Sequence, residues 1–119
     1  MPDDPAAPLR EPPVRAVETT DGAAVLTLAG ELDLFNAEEV RRGLADAIAT
    51  GSGRIVVDLA EVEFIDSTAL GTLVEARSAL GDRELLLAAP QPEPRRALRV
   101  SGLDRHLAVH DSVAAALAS

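Results

Sequence analysis

The stretch EVEFIDSTALGTLVEARSAL, Glu61 to Leu80, decides how the chain is read. It reads as a loop that runs into a helix. Asp66, Ser67 and Thr68 stand in a row at the junction, each with the short side-chain oxygen that a helix N-cap uses. Beyond them Ala69, Leu70, Leu73, Ala76 and Leu80 fall on one helical face, while Thr72, Glu75 and Ser78 fall on others. A hydroxyl is thus held at the positive end of a helix. A phosphate placed there would meet free backbone N–H groups and a favourable dipole.

Working outward, strands alternate with helices after an opening hairpin. Val14 to Glu18 is a weak first strand, and Asp21-Gly22 is a hairpin turn signal. Ala23 to Ala29 is the second strand, which Gly30 ends. Asn36 reads as the next N-cap. Glu39 stands three residues on, as in a capping box, and Phe35 is placed to pack on Val40 as a hydrophobic staple. Ala37, Val40, Leu44, Ala47 and Ile48 form that helix's buried stripe, and Gly51 stops it. Arg54 to Leu59 is a β-branched run suited to a strand covered on both faces. After Glu61–Leu80, Gly81-Asp82 makes a turn and Glu84 to Ala88 a further strand. Pro94 fits the first turn of a short helix running to Val100. Leu107 to His110 is a last strand, and Asp111 or Ser112 opens a terminal helix. The expected fold is α/β: a mixed, mainly parallel sheet of about five strands with about four helices. Residues 1–13, proline-rich and charged, read as a disordered tail, and 14–119 as one domain.

A helix between the second and third strands makes them parallel, so their C-terminal ends share one edge of the sheet. That edge gathers Glu31, Asp33, Glu61, Glu63 and Asp66 around Ser67. Between Ile55 and Ala76 there is no Lys, Arg or His, so local sequence supplies no cation. Phosphate on Ser67 would add roughly −1.5 to −2 charge among carboxylates. The helix N-terminus would hold it, while an acidic or tightly packed partner would be repelled. A loss of about 4 kcal/mol weakens binding about a thousandfold, enough for an on/off switch.

Composition narrows the classes. In 119 residues, 47% are hydrophobic but only 2% aromatic, so the core is aliphatic. The net charge of −9 argues against nucleic acid and anionic membrane as partners. With no Cys there is no disulfide, thiolate metal site or cysteine nucleophile. No run is long and apolar enough to span a bilayer, and the start is unlike a signal peptide, which makes the cytoplasm the expected location.

FIDSTALG resembles the Asp-Ser-(Ser/Thr)-Gly-Leu-Gly signature of STAS domains, in particular of bacterial anti-sigma factor antagonists. AAVLTLAGELDLFNAEEV resembles the family's other marker, a strand ending in Gly-Glu-Leu-Asp followed by a helix. The likeness covers about residues 14 to 118 in the right order. One departure is Ala69, where the family usually has Gly; it bears on how closely a partner's backbone can approach. The resemblance implies a STAS fold and a binder without catalysis of its own, monomeric or weakly dimeric. In the unphosphorylated form it binds an anti-sigma factor that is also a serine kinase, and so frees a sigma factor. Ser67 becomes the phosphoacceptor, Thr68 a secondary one, and a serine phosphatase resets the switch. Glu31, Asp33, Asp66, Ser67, Thr68 and Leu70 become the docking residues. No cofactor or metal is implied.

Plainer readings stand beside these. On local chemistry alone Ser67 is a helix cap, and Asp33 a loop carboxylate pairing with a backbone N–H. Asp58 stands where a receiver domain carries its phosphoaspartate, but the chain has no Lys for such a site, so Asp58 reads as structural. His106 and His110 lack other ligands nearby, and Arg95, Arg96 and Arg99 read as a solvated helix face. No GK[ST] loop is present, so a nucleotide enzyme has no motif. The main alternative is a STAS scaffold bound to a different partner, such as a lipid-transport ATPase, with no serine switch. A small enzyme at the same edge would lack a His, Lys or Cys from nearby sequence.

Overall fold

A computed structural model describes residues 10–119. The part of the expected tail at 1–9 lies outside the described residues. The elements run β1 (Val14–Thr20), β2 (Ala23–Leu32), α1 (Ala37–Thr50), β3 (Ile55–Ile65), α2 (Ser67–Leu80), β4 (Leu85–Ala88), α3 (Pro92–Ser101), a 3-10 turn (Leu103–Arg105), β5 (Ala108–His110) and α4 (Val113–Ala118). The strands lie in sequence order in one five-stranded sheet. β1 is antiparallel to β2, and the other pairings are parallel. The expected mixed sheet with an opening hairpin is therefore observed. Asp21 and Gly22 both take positive φ, the geometry of a tight hairpin turn whose twist matches its strands.

The larger core layer joins β2 and β3 to α1 and α2 through Leu26, Leu28, Val40, Leu44, Val57 and Leu73, with Leu98 of α3 closing it. The second layer is small: Val25, Val56, Leu86 and Ala88 meet Ala116 of α4. Both faces of the central strands are covered, which is why the continuous apolar runs Ile55-Val56-Val57 and Leu85-Leu86-Leu87-Ala88, rather than alternation, mark β3 and β4.

Four local readings are corrected. First, β2 does not stop at Gly30 but continues to Leu32, and β3 does not stop at Leu59 but continues to Ile65. The register explains why this was hidden. Thr27 pairs with Asp58, yet Ala29 pairs with Glu61; Gly30 pairs with Val62, yet Glu31 pairs with Phe64. Two extra residues in β3 thus break its alternation, and Leu59, Val62 and Ile65, three apart, all face the core. Glu61, Glu63 and Phe64 remain outside, so the segment reads as a polar loop although it is a strand.

Second, Phe35 does not staple α1, being 80% exposed. Third, Asn36 sits at the α1 cap position but its side chain makes no cap bond. It turns back instead: its Oδ1 accepts from the Asp33 amide at 2.9 Å and its Nδ2 donates to the Glu31 carbonyl at 2.8 Å. Fourth, residues 10–13 are not loose. Pro13 is buried, and its carbonyl accepts from the Ala29 amide at 2.9 Å.

Two arginines close helix ends that lack a left-handed glycine cap. Arg83 donates to the carbonyls of Ile48, Gly51 and Gly53 at 3.1, 2.8 and 2.8 Å, in and just beyond the last turn of α1. Arg54 donates to the Ala116 and Ser119 carbonyls at 3.2 and 2.8 Å, at the end of α4. Each supplies donors to carbonyls that the helix leaves unpaired.

Candidate functional site

The site is the turn after β2 set against the start of α2. Leu32 and Ile65 end neighbouring parallel strands in register, so the chain leaves both at one edge. Asp66 then caps α2, its Oδ1 accepting from the Ala69 amide at 2.9 Å. Its Oδ2 accepts from the Leu34 amide at 3.1 Å, and its own amide donates to the Leu32 carbonyl at 3.0 Å. One carboxylate thus serves two backbone donors from two motifs. A short acid is required: a longer side chain cannot hold the N-cap geometry and reach Leu34 together.

Ser67 is the first residue of α2 and is exposed, as is Thr68. Because Asp66 supplies the cap, the plain-cap reading of Ser67 is overturned. Among the described residues its hydroxyl has no hydrogen-bond partner. It stands free at a helix N-terminus, where an added phosphate would find unpaired N–H groups.

Asp33 lies in the turn, half-buried. Its Oδ1 accepts from the Phe35 amide at 3.0 Å. Arg10 approaches from the segment before β1, donating to Asp33 Oδ1 at 3.3 Å, to Asp33 Oδ2 at 3.1 Å and to the Glu31 carbonyl at 2.9 Å. Partial burial pushes the Asp33 carboxyl up. The Arg10 hydrogen bond, the Phe35 amide and the Arg10 charge outweigh it and hold the carboxyl below its ordinary 3.8. Arg10 was not foreseen: no cation lies near in sequence, and it reaches the turn from 23 residues away.

Of the expected carboxylates, Glu31 is exposed at the end of β2. Glu63 shares a shallow hollow with Arg10, Arg15, Gly30 and Glu31. Glu61 pairs with Ala29, four residues short of the strand end, about 13 Å at the usual strand rise. The acidic ring around Ser67 is therefore smaller than expected and carries an arginine. Leu70, expected at the docking surface, is turned into the core at 8% exposure. Ala69 is buried more fully still, at 1% exposure, so its methyl group does not stand between Ser67 and an approaching backbone.

Several large apolar side chains stand outside here. Leu34 is 62% exposed and sits beside Phe35, directly on the turn bonded to Asp66. Phe64 and Val100 are also exposed and line a hollow of about 240 Å³ with Ile65 and Ala97, rimmed by Glu93 and Arg96. The sequence signal was present in Leu34-Phe35: two large apolar residues between a strand and an N-cap.

This sheet order is that of a known family. The STAS domain pattern matches residues 15–116, and the chain belongs to the STAS domain family. It is 30% identical over 86 residues to the anti-sigma-F factor antagonist RsfB of Mycobacterium tuberculosis, covering 71% of this chain and 70% of RsfB. It is 32% identical over 91 residues to the anti-sigma-B factor antagonist of Staphylococcus aureus, covering 73% and 84%. Among solved structures, an anti-sigma factor antagonist from Mycobacterium paratuberculosis superposes with a TM-score of 0.80 at 28% identity, covering 87% of this chain and 89% of that one. No helix among the described residues is long and apolar enough to cross a membrane.

Proposed function

We propose that this protein is an anti-sigma factor antagonist: a cytoplasmic binding protein, monomeric or weakly dimeric, whose unphosphorylated form captures an anti-sigma factor and so releases a sigma factor. That anti-sigma factor is a serine kinase acting on Ser67, and a separate phosphatase restores the hydroxyl. The observation that carries this reading is the exposed Ser67 hydroxyl at a helix N-terminus, without a hydrogen-bond partner among the described residues, next to the exposed Leu34–Phe35 pair. Aromatic side chains such as Phe are enriched at interface cores, and adjoining exposed apolar residues mark interaction sites. A hydroxyl beside them can change the surface charge without disturbing the core.

The switch follows from the charges. A phosphate on Ser67 is favoured by the α2 dipole but disfavoured by Asp33, Asp66 and Glu31. The fold is kept, while the apolar anchors acquire a dianion at their edge. A partner that buries Leu34 and Phe35 must then desolvate that charge, and binding falls. Asp33 and Asp66 act by shaping the turn, Glu31 and Thr68 lie on its rim, and Thr68 is the secondary acceptor.

Affinity capture from the native host's lysate tests this. Wild-type and Ser67→Asp chains serve as parallel baits. A kinase-like anti-sigma factor held by the wild type and reduced on the Asp bait is the expected result. A transport ATPase held equally by both would keep the fold and overturn the sigma-factor reading.

A further inference from the structure

The segment before β1 ends at the docking turn, and its attachment is built in. Pro13 is buried and hydrogen-bonded to the Ala29 amide. Pro12 and Pro13 have φ fixed by their rings, so the chain between this anchor and Arg10 is stiff. Glu11 pairs with Arg15, which keeps that carboxylate occupied on β1. Arg10, Glu11, Pro12 and Pro13 form one wall of a hollow whose other wall is Phe35, Asn36 and Glu39. From this strap the guanidinium forks onto both Asp33 oxygens and also takes the Glu31 carbonyl. Asn36 holds the same Glu31 carbonyl and the Asp33 amide from the other side. The turn is therefore gripped at two points.

Resting on the docking reading above, we propose that Arg10 is a positioning residue of the docking turn. Through Asp33 it fixes the Phe35 amide, and so holds the Leu34–Phe35 pair in the form that a partner meets. The chain is direct: Arg10 to Asp33, Asp33 to the Phe35 amide, and the neighbouring Leu34 amide to Asp66 beside Ser67. Arg10 is also the one cation bonded to this turn among the described residues. Its planar fork is what grips two carboxylate oxygens and a carbonyl together, which a lysine ammonium cannot match.

The test uses the isotope-labelled full chain as wild type, Arg10→Ala and Arg10→Lys, followed by NMR. An exposed ion pair contributes modestly, so Arg10→Ala should speed amide exchange at Phe35 about three- to fivefold, with Asp33 titrating at higher pH. The thermal midpoint should stay close to that of wild type. Arg10→Lys should restore part of the Asp33 titration, through charge, but less of the Phe35 protection, through lost fork geometry. Wild-type exchange and titration in Arg10→Ala would overturn the proposal. So would full recovery by Lys of both readouts, which would reduce Arg10 to a general charge. These readouts need no partner, so they stand or fall separately from the Ser67 capture experiment.

Discussion

Asp66 and Leu34, 32 residues apart in the chain, are joined by a 3.1 Å hydrogen bond from the Leu34 amide to the carboxylate that caps α2. The exposed apolar pair and the exposed serine are thus parts of one hydrogen-bonded unit. A change at either is felt at the same surface, and Asp66 is the hinge of that relationship.

Asp66→Ala removes the acceptor for two backbone amides. Loss of an N-cap together with a second bond should cost about 1–3 kcal/mol, read as a lower urea midpoint. An unchanged midpoint would mean that water or Ser67 takes over the cap.

Ser67→Ala and Ser67→Asp should behave differently from that. Ser67 is exposed and uncommitted, so the alanine variant should lie within about 0.5 kcal/mol of wild type. The aspartate variant should also lie within about 0.5 kcal/mol, because the few tenths contributed by the helix dipole are offset by repulsion from Asp66 and its neighbours. Thermal melts of all three check this; a large loss in either variant would return Ser67 to a structural role.

Phe35→Ala should leave stability nearly unchanged, because little of the ring is buried. If the ring is an interface anchor, its loss should weaken partner binding by about 2 kcal/mol, roughly thirtyfold. Calorimetric titration against the captured partner measures it. Equal affinity would move the interface away from the turn.

The pH dependence of the Arg10–Asp33 pair has a definite sign. The folded Asp33 carboxyl titrates below its ordinary 3.8, so the folded state holds fewer protons there than the unfolded chain. The stability it contributes is present above that ordinary value and is lost as pH falls through the lower folded value. The stability gap between wild type and Arg10→Ala, small for so exposed a pair, should therefore be flat near neutrality and close in acid below 3.8. Denaturant curves taken at successive pH values test this. A gap that persists undiminished after Asp33 is protonated would show that the charge pair is not its source.

Arg83→Ala removes three partly buried bonds, one to the Ile48 carbonyl in the last turn of α1 and two to the Gly51 and Gly53 carbonyls beyond it. Leaving them unpaired should cost about 1–3 kcal/mol, with the site's surface unaltered. Denaturant melts report the loss. A near-neutral result would mean that water reaches those carbonyls.

Much of the fold was legible because local rules agreed with it. Asp21-Gly22 has the backbone that its residues favour, α1 and α2 carry clear apolar stripes, and Ser112 caps α4 with its Oγ accepting from the Ala115 amide at 2.9 Å. The readings that failed had two meanings at local range. Phe35 before an N-cap suits a staple or an exposed anchor equally. Leu70 lies on the same run as Ser67, and only the direction in which α2 lies against the sheet decides that it faces inward.

The sequence by itself determined the alternation of strands and helices, the parallel crossover, the meeting of the two motifs and the placing of a hydroxyl at a helix start. Each rests on short-range periodicity or capping, which acts within a few residues. Tertiary structure alone decided that Asp66 rather than Ser67 is the cap, that bulges carry β3 through to Ile65, and that Arg10 grips Asp33. The bulges and the Arg10 grip depend on register and on contacts between segments far apart in the chain, and the locally bonded Asp66 cap is fixed further by its bonds to Leu32 and Leu34. Hydrogen bonds of that kind are chosen by which surfaces the core brings together, and residue spacing carries no record of them.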